Sequence, residues 1–327
     1  MGVKYLNGYF VHNCSKMAIA KTTFAEYEGK TIVVDTSIYL YKFLIDGNFE
    51  EQMYLFLSLF KYYCIDAIFV FDGKPPPEKW PLLRQRYEDK KSAQNKYDEL
   101  QEMLADMSGN QYDSTVAQLE ELRKKMVKLR PEHLQFAKKM MDSFGFVHID
   151  APCEADMVCA DFVIRGIAWA CLSEDMDLFL LGCPRVLRNI SLLGHTWTIY
   201  TTELVLKELN IKLKDLVEIV VLSGSDYTVN IKHKRNIRKL LDGYRASNLD
   251  MSAYDWHRQV HSEDFTEDYC LSNRDTFDKH CRLFEPAEIH ELLDPVCESY
   301  EEKKKEAKIN VPMIREIMKP YGFIFMI

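Results

Sequence analysis

The sequence predicts an α/β fold, with a mostly parallel, twisted sheet flanked by helices. Three observations predict it. Short, β-branched apolar runs recur along the chain, stretches of helical pattern separate them, and a long charged insert divides the second run from the third. Parallel strands need a crossover between them, and the helical stretches supply it.

Residues 31–35 form the first run, in which Ile32, Val33 and Val34 lead to Asp35. Residues 67–72 repeat the pattern and end at Asp72, followed by Gly73 and the prolines Pro75, Pro76 and Pro77, which cannot continue a ladder. Residues 82–107 and 113–130 are rich in Lys, Arg, Glu and Gln and read as two helices joined by a turn at 108–110. On charge pattern alone this is an ordinary solvated hairpin. The third strand covers 146–150 and the fourth 168–172, with a helix opening near Glu154 between them. Beyond residue 200 the chain turns helical, over 201–210, 212–223 and 234–242. Residues 244–275 are polar and read as loop, and 288–319 as two or three helices.

The 327 residues are 47% hydrophobic and 28% charged, an ordinary globular balance. Nine Cys, none in a Cys-x-x-Cys pair, argue against a disulfide framework and a thiolate zinc site; Cys64, Cys159 and Cys171 sit among apolar residues and read as reduced core thiols. No apolar run approaches the ~20 residues of a membrane span. The first residues show no secretory pattern, so an intracellular protein is expected. A net charge of −8 weighs against nucleic acid, unless the acids gather in one pocket and the bases on another surface.

Seven acids stand in distinctive places. Asp35 and Asp72 end strands, Glu154 and Asp156 lie at the mouth of a helix, Asp175 and Asp177 follow the fourth strand, and Asp226 follows a glycine that ends a helix. Ligands of open α/β sheets bind beyond the carboxyl ends of the strands. Taken singly, each acid is equally well a helix cap or a surface residue. Gathered together, they would repel by about 4 kcal/mol per pair 4 Å apart at an effective dielectric of about 20. The set therefore points to a hard cation, Mg²⁺ or Mn²⁺. Two such ions ~3.5–4 Å apart serve the attacking and leaving oxygens of a phosphodiester.

Six stretches carry a resemblance: Met1-Gly2-Val3, residues 34–44, 70–76, 150–156 and 174–177, and Gly224-Ser225-Asp226-Tyr227. In these the chain resembles the flap endonuclease/XPG-type structure-specific 5′ nucleases. The resemblance implies a PIN-like fold with nuclease regions at 1–78 and 132–226 and an inserted helical arch at 79–131. A degenerate helix-two-turn-helix and C-terminal helical region at 227–327 would pack on the same core. It implies two metal ions, one held by Asp35, Asp72, Glu154 and Asp156, the other by Asp175, Asp177 and Asp226. Asp156 stands where the family has Glu, one methylene shorter. Lys79 and Arg86, seven apart on one helix face, would engage the scissile phosphate. Tyr41 would stack on the base beside the cut, although its own neighbours alone suggest a core residue. Gly2 would lie beside the DNA once Met1 is removed.

The arch would be lined by Lys90, Lys91 and Lys96 on one limb and by Arg123, Lys124, Lys125, Lys128 and Arg130 on the other. One departure is large: residues 227–236 contain no glycine, where the family uses a glycine-rich hairpin to hold a monovalent cation. Lys232, His233, Lys234, Arg235 and Arg238 are expected to grip duplex phosphates directly instead. The implied activity is metal-dependent cutting of 5′ flaps, gaps or recessed 5′ ends of DNA in replication, repair or recombination. A monomer is expected, in the nucleus or at a cytoplasmic site of viral replication. A sliding-clamp contact has no support, because residues 52–60, loosely similar to a clamp motif, read as a core helix. Two other readings stay open: a 5′→3′ exonuclease acting on RNA, and a nuclease-like scaffold that does not cut. The acids retained at every matched position weigh against the scaffold.

Overall fold

The computed structural model describes residues 3, 5–104, 109–224, 235–247, 250–262, 273–285 and 290–323. Gly2, Asp226, Lys232, His233 and Lys234 lie outside the described residues. The strands, in chain order, are β1 (Ile19–Thr23), β2 (Thr31–Asp35), β3 (Asp66–Phe71), β4 (Val147–Asp150), β5 (Ala170–Leu172), β6 (Arg185–Ser191) and β7 (Thr196–Thr201). They form one seven-stranded sheet in the order β1-β7-β6-β5-β2-β3-β4. The stretch β6-β5-β2-β3-β4 is parallel, and β7 and β1 add an antiparallel edge. The four predicted strands all fall in the parallel part. The antiparallel hairpin was not foreseen, because its strands mix Arg, Asn, Ser and Thr with their apolar residues.

Alternate residues of the central strands supply opposite faces, which is why the runs are continuously apolar. Val33, Ile68, Val70 and Cys171 pack against α1 (Leu6–Asn13), α7 (Ala155–Ile164) and α10 (Leu213–Ser223). Ile32, Val34, Phe69 and Leu172 pack against α2 (Thr36–Asp46), α3 (Phe49–Tyr62) and α6 (Pro131–Phe144). Residues 52–60 lie within α3, where Met53, Phe56, Leu57, Leu59 and Phe60 are buried, as expected of a core helix. Cys159 and Cys171 are buried thiols, but Cys64 is exposed. It occupies a left-handed turn (φ 52°) between α3 and β3, where its carbonyl accepts the Gly29 N–H.

The insert between β3 and β4 is a helical hairpin of α4 (Trp80–Leu104) and α5 (Asn110–Met126). The long α4 buries only Ala93, so the hairpin is held by a thin apolar seam that includes Leu119 and Leu122. Arg123 ties α5 to the end of α2 by donating to the Ile45 carbonyl at 3.4 Å. After the short α8 (Asp177–Leu180) and α9 (Thr202–Leu209), three helices gather beside α10: α11 (Ile237–Ser247), α12 (Ala253–Val260) and α13 (Arg274–Arg282). Buried Glu218 of α10 fastens the last two, accepting the Tyr254 N–H at 2.9 Å and facing Arg274 at 3.5 Å. Helix α12 corrects the expectation of loop at 244–275: Ala253, Tyr254, Trp256 and His257 bury one face, and a polar other face hid the periodicity. The edge strand β4 is covered by α14 (His290–Glu306), whose Lys303 donates to the His148 carbonyl at 2.9 Å. The final α15 (Val311–Met318) returns to the face lined by α6. Among the described residues no helix is long and apolar enough to cross a membrane.

Candidate active site

The chain runs from β2 to β3 to β4 on one side of the sheet, then returns to β5 on the other side of β2. That reversal opens a crevice at the carboxyl ends of β2, β3 and β5. A cavity of about 250 Å³ lies there, lined by Asp35, Asp72, Glu154, Asp156 and Asp175 together with Ser37, Ile38, Tyr41, Gly73, Pro75, Lys79, Leu83 and Arg86.

Each acid is held by its neighbours. Asp35 directly precedes α2 and Glu154 directly precedes α7, yet neither side chain caps its own helix. Asp35 instead accepts from Ser173 Oγ at 2.8 Å, and the same hydroxyl accepts the Asp175 N–H at 3.0 Å. Asp72 accepts the Ala155 N–H at 3.1 Å, which joins the end of β3 to the loop that carries Glu154. Gly73 permits that junction: its N–H donates to the Cys153 carbonyl at 2.8 Å, and a Cβ there would stand 1.9 Å from the Ala151 oxygen. Asp175 accepts the Asp177 N–H at 3.1 Å. Asp177 is buried at the start of α8 and is not among the side chains that line the cavity.

The electrostatics are those of acids short of a counter-ion. Burial, then the charges of Asp72 and Asp156, push Asp35 well above the usual carboxylate range. Burial, then Glu154 and Asp175, push Asp156 up to about 8. Lys79 supplies the cation at hand: its ammonium pairs with Glu154, and although burial works against its charge, that carboxylate more than compensates. Among the described residues no three His, Cys, Asp or Glu side chains stand close enough together to enclose an ion. The oxygen-only donor set, gathered around one polar cavity, fits a hard cation that keeps several waters.

Lys79 lies in a 3-10 turn, Pro77–Lys79, one residue ahead of α4, while Arg86 lies within that helix; both reach the cavity. Tyr41 is half-buried at the cavity wall, not in the core, with the Lys90 ammonium 5.2 Å from its ring centre. Lys90 itself donates to the Val127 carbonyl at 3.0 Å. Partial burial, then the charges of Lys128 and Arg86, lower its pKa. Lys91, Lys124, Lys125 and Lys128 are exposed on the hairpin and its exit. Lys124 faces Glu121 at 3.0 Å and Arg123 faces Glu120 at 3.0 Å, so the second limb is less positive than its bases alone suggest. Arg235 is half-buried and donates to the Leu222 carbonyl at 3.4 Å, at the end of α10.

Asp150, another acid at a strand end, turns away to an exposed pair with Lys138. Two contributors were not foreseen. Ser173 orders Asp35 and Asp175, and nothing in its local sequence distinguishes it from any loop serine. Arg188 of β6 is buried and donates to the Glu174 carbonyl and to Asn7 of α1, both at 2.8 Å, tying the Asp175 loop to the first helix.

A parallel sheet with acids at its switch point and a helical hairpin over them defines a PIN-like α/β nuclease fold. Residues 1–93 match the XPG N-terminal domain and residues 145–226 the XPG I-region. The chain belongs to the XPG family. It is similar to Flap endonuclease 1-A of Oryza sativa subsp. japonica, 29% identical over 71% of this chain and 63% of that protein. It is similar also to Flap endonuclease 1-B of Xenopus laevis, 30% identical over 66% of this chain and 58% of that one. The chain thus spans less than two thirds of the length of these relatives. Among solved structures, the catalytic core of Rad2 in complex with a DNA substrate superposes with a TM-score of 0.62 at 19% identity, covering 97% of this chain and 95% of that one. Flap endonuclease-1 from Methanococcus jannaschii gives 0.55 at 21% identity, covering 98% and 99%.

Proposed function

We propose that this chain is a divalent-metal-dependent 5′ nuclease that cuts branched or 5′-ended duplex DNA. The observation that carries the reading is one cavity in which five carboxylates face Lys79, Arg86 and Tyr41 beneath a helical hairpin. Family membership and the names of the relatives support it. Since no three acids among the described residues close on one point, Asp35, Asp72, Glu154 and Asp156 would meet one Mg²⁺ or Mn²⁺ ion partly through waters that the ion keeps, and Asp175, Asp177 and Asp226 a second in the same way. When bound, such ions activate water and neutralise charge on a phosphodiester.

The chain's own residues do the rest. Lys79 and Arg86 meet the charge that builds on the phosphate during in-line attack, a preorganised electrostatic role. Tyr41 offers its face to the base next to the cut. The α4/α5 hairpin is the arch past which a 5′ arm runs, with Lys90, Lys91, Lys124, Lys125 and Lys128 along it. Lys232, Lys234 and Arg235 serve duplex phosphates, and Gly2 lies beside the DNA. The protein acts as a monomer in the nucleus, in replication, repair or recombination.

Cleavage of 5′-labelled flap, nicked, recessed and single-stranded substrates with Mg²⁺ tests this, comparing the wild type with Asp35→Ala. The wild type should cut at the branch, and the variant should lose about 10³-fold or more, on the order of the loss of a main electrostatic group. If both are equally inert or equally active on every branched DNA, the reading fails. Faster cutting of RNA arms would move the substrate to RNA.

A further inference from the structure

We infer that the outward face of α4 is a stacking surface for the unpaired bases of a single-stranded 5′ arm, with Trp80 and Tyr87 as its two rings. The inference rests on the nuclease reading and names how the arm is held. Trp80 is 55% exposed and Tyr87 65% exposed, on a largely charged helix that buries only Ala93. Lone exposed aromatics are ordinary on a surface. This pair is placed differently.

Each ring directly follows one of the two cavity-lining bases, Lys79 and Arg86; Tyr87 stands about 100° around α4 from Arg86, and Trp80 opens the helix just after the 3-10 turn that carries Lys79. Seven residues separate the rings, two turns of one face and a rise of about 10.5 Å. That rise is about three base steps at the ~3.4 Å repeat of a stacked strand. On the same face, four residues beyond each ring, stand Arg84 and Lys91, both exposed. The stripe therefore alternates ring, cation, ring, cation. Arg84 has only a loose 3.9 Å approach to Glu88. Leu83 lies between the stripe and the cavity, which it also lines.

A ligand that uses this stripe must carry flat faces and negative charge at nucleotide spacing. Single-stranded nucleic acid does both, and stacking on aromatics is tolerant of base sequence. An acidic protein partner would leave the rings unused, and an apolar helix would bury two cations. The strand so held leads along α4 directly to the cavity.

The test reads binding in EDTA, by fluorescence anisotropy, to one duplex bearing either a natural 5′ arm or an arm of abasic sites. The wild type should prefer the natural arm, and Trp80→Ala and Tyr87→Ala should each reduce that preference about tenfold. Trp80→Phe and Tyr87→Phe should keep most of it. Oligodeoxythymidine should quench tryptophan emission in the wild type and much less in Trp80→Phe. Equal affinity of the wild type for both arms overturns the inference. So does an equal loss on both arms in the alanine variants, or a Trp80-dependent dimer in sedimentation, which would assign the stripe to a second copy. Because binding is read without metal, a chain that prefers bases but cuts nothing supports this inference and defeats the nuclease reading. A chain that cuts but ignores the bases overturns this inference alone.

Discussion

Asp156 separates two consequences of placing acids together, repulsion without metal and ligation with it. Its pKa is pushed from the usual carboxylate range up to about 8, by burial first and then by Glu154 and Asp175. For a carboxyl group raised in this way, the folded state binds more protons than the unfolded one. The stabilisation is complete below the unfolded pKa and is lost as pH rises towards 8. In EDTA the protein should therefore unfold more readily at pH 8 than at pH 5. Asp156→Asn should flatten that dependence and raise metal-free stability at pH 8 by on the order of a few kcal/mol. The same variant should respond less to Mn²⁺ in thermal melts; a variant that melts like the wild type in EDTA at both pH values would remove the repulsion argument. Arg188 acts from behind the site. Arg188→Met would leave the Glu174 carbonyl without this donor and Asn7 with the Tyr200 hydroxyl, at a cost of about 2–4 kcal/mol in urea unfolding. It would also slacken the loop that carries Asp175, so Mn²⁺ affinity should fall with stability, and lysine should restore part of both.

The junction between β3 and α7 depends on backbone closeness more than on side chains. Gly73 lets the end of β3 approach the 151–153 backbone, and Asp72 then meets the N–H at the start of α7. Gly73→Ala would force these segments apart, since a Cβ 1.9 Å from a carbonyl oxygen cannot be absorbed by a rotamer change. A loss of about 2–3 kcal/mol is expected from chemical denaturation, in the range for overpacking. Mn²⁺ binding measured below the melting temperature should weaken as well, because Glu154 moves with the loop; unchanged metal affinity would mean the junction does not position it. How legible such parts were depends on what encodes them. β2, β3, β4 and β5 were readable because strands buried on both faces are uninterrupted apolar runs. β6 and β7 pair at the antiparallel edge with Arg188, Asn189 and Thr198 among their residues, which dilutes that signal. Asp35, Asp72, Glu154, Asp156 and Asp175 were legible because each follows a strand or opens a helix, where the fold turns side chains toward one edge. Ser173, Gly73 and Arg188 act through partners distant in sequence, so no local pattern marks them.

A chain carrying −8 overall can bind a polyanion only through the arrangement of its charges, not through their sum. The acids of the cavity lie close to where a phosphate would sit, while the exposed lysines of the hairpin stand away from them. Each lysine or arginine that neutralises a phosphate releases condensed counter-ions, so the logarithm of affinity for duplex DNA should fall with the logarithm of salt, with a slope near −0.9 per contact. Lys91→Ala, or Lys125→Ala on the other limb, should weaken binding to all DNA sequences alike and reduce that slope by about 1. The cavity contributes with the opposite sign. On the proposed reading its carboxylates should repel the nearest phosphate in EDTA, and a hard cation such as Ca²⁺ should reverse this. At fixed ionic strength Ca²⁺ should therefore tighten binding of a branched duplex by about tenfold, on the order of one ion pair at intermediate dielectric. Divalent ions also compete for the DNA, which weakens binding at every site equally. The gain should accordingly vanish in Asp35→Asn combined with Asp156→Asn, leaving only the weakening. If Ca²⁺ acts identically on wild type and double variant, the cavity does not meet the phosphate, and the basic hairpin holds the DNA somewhere else.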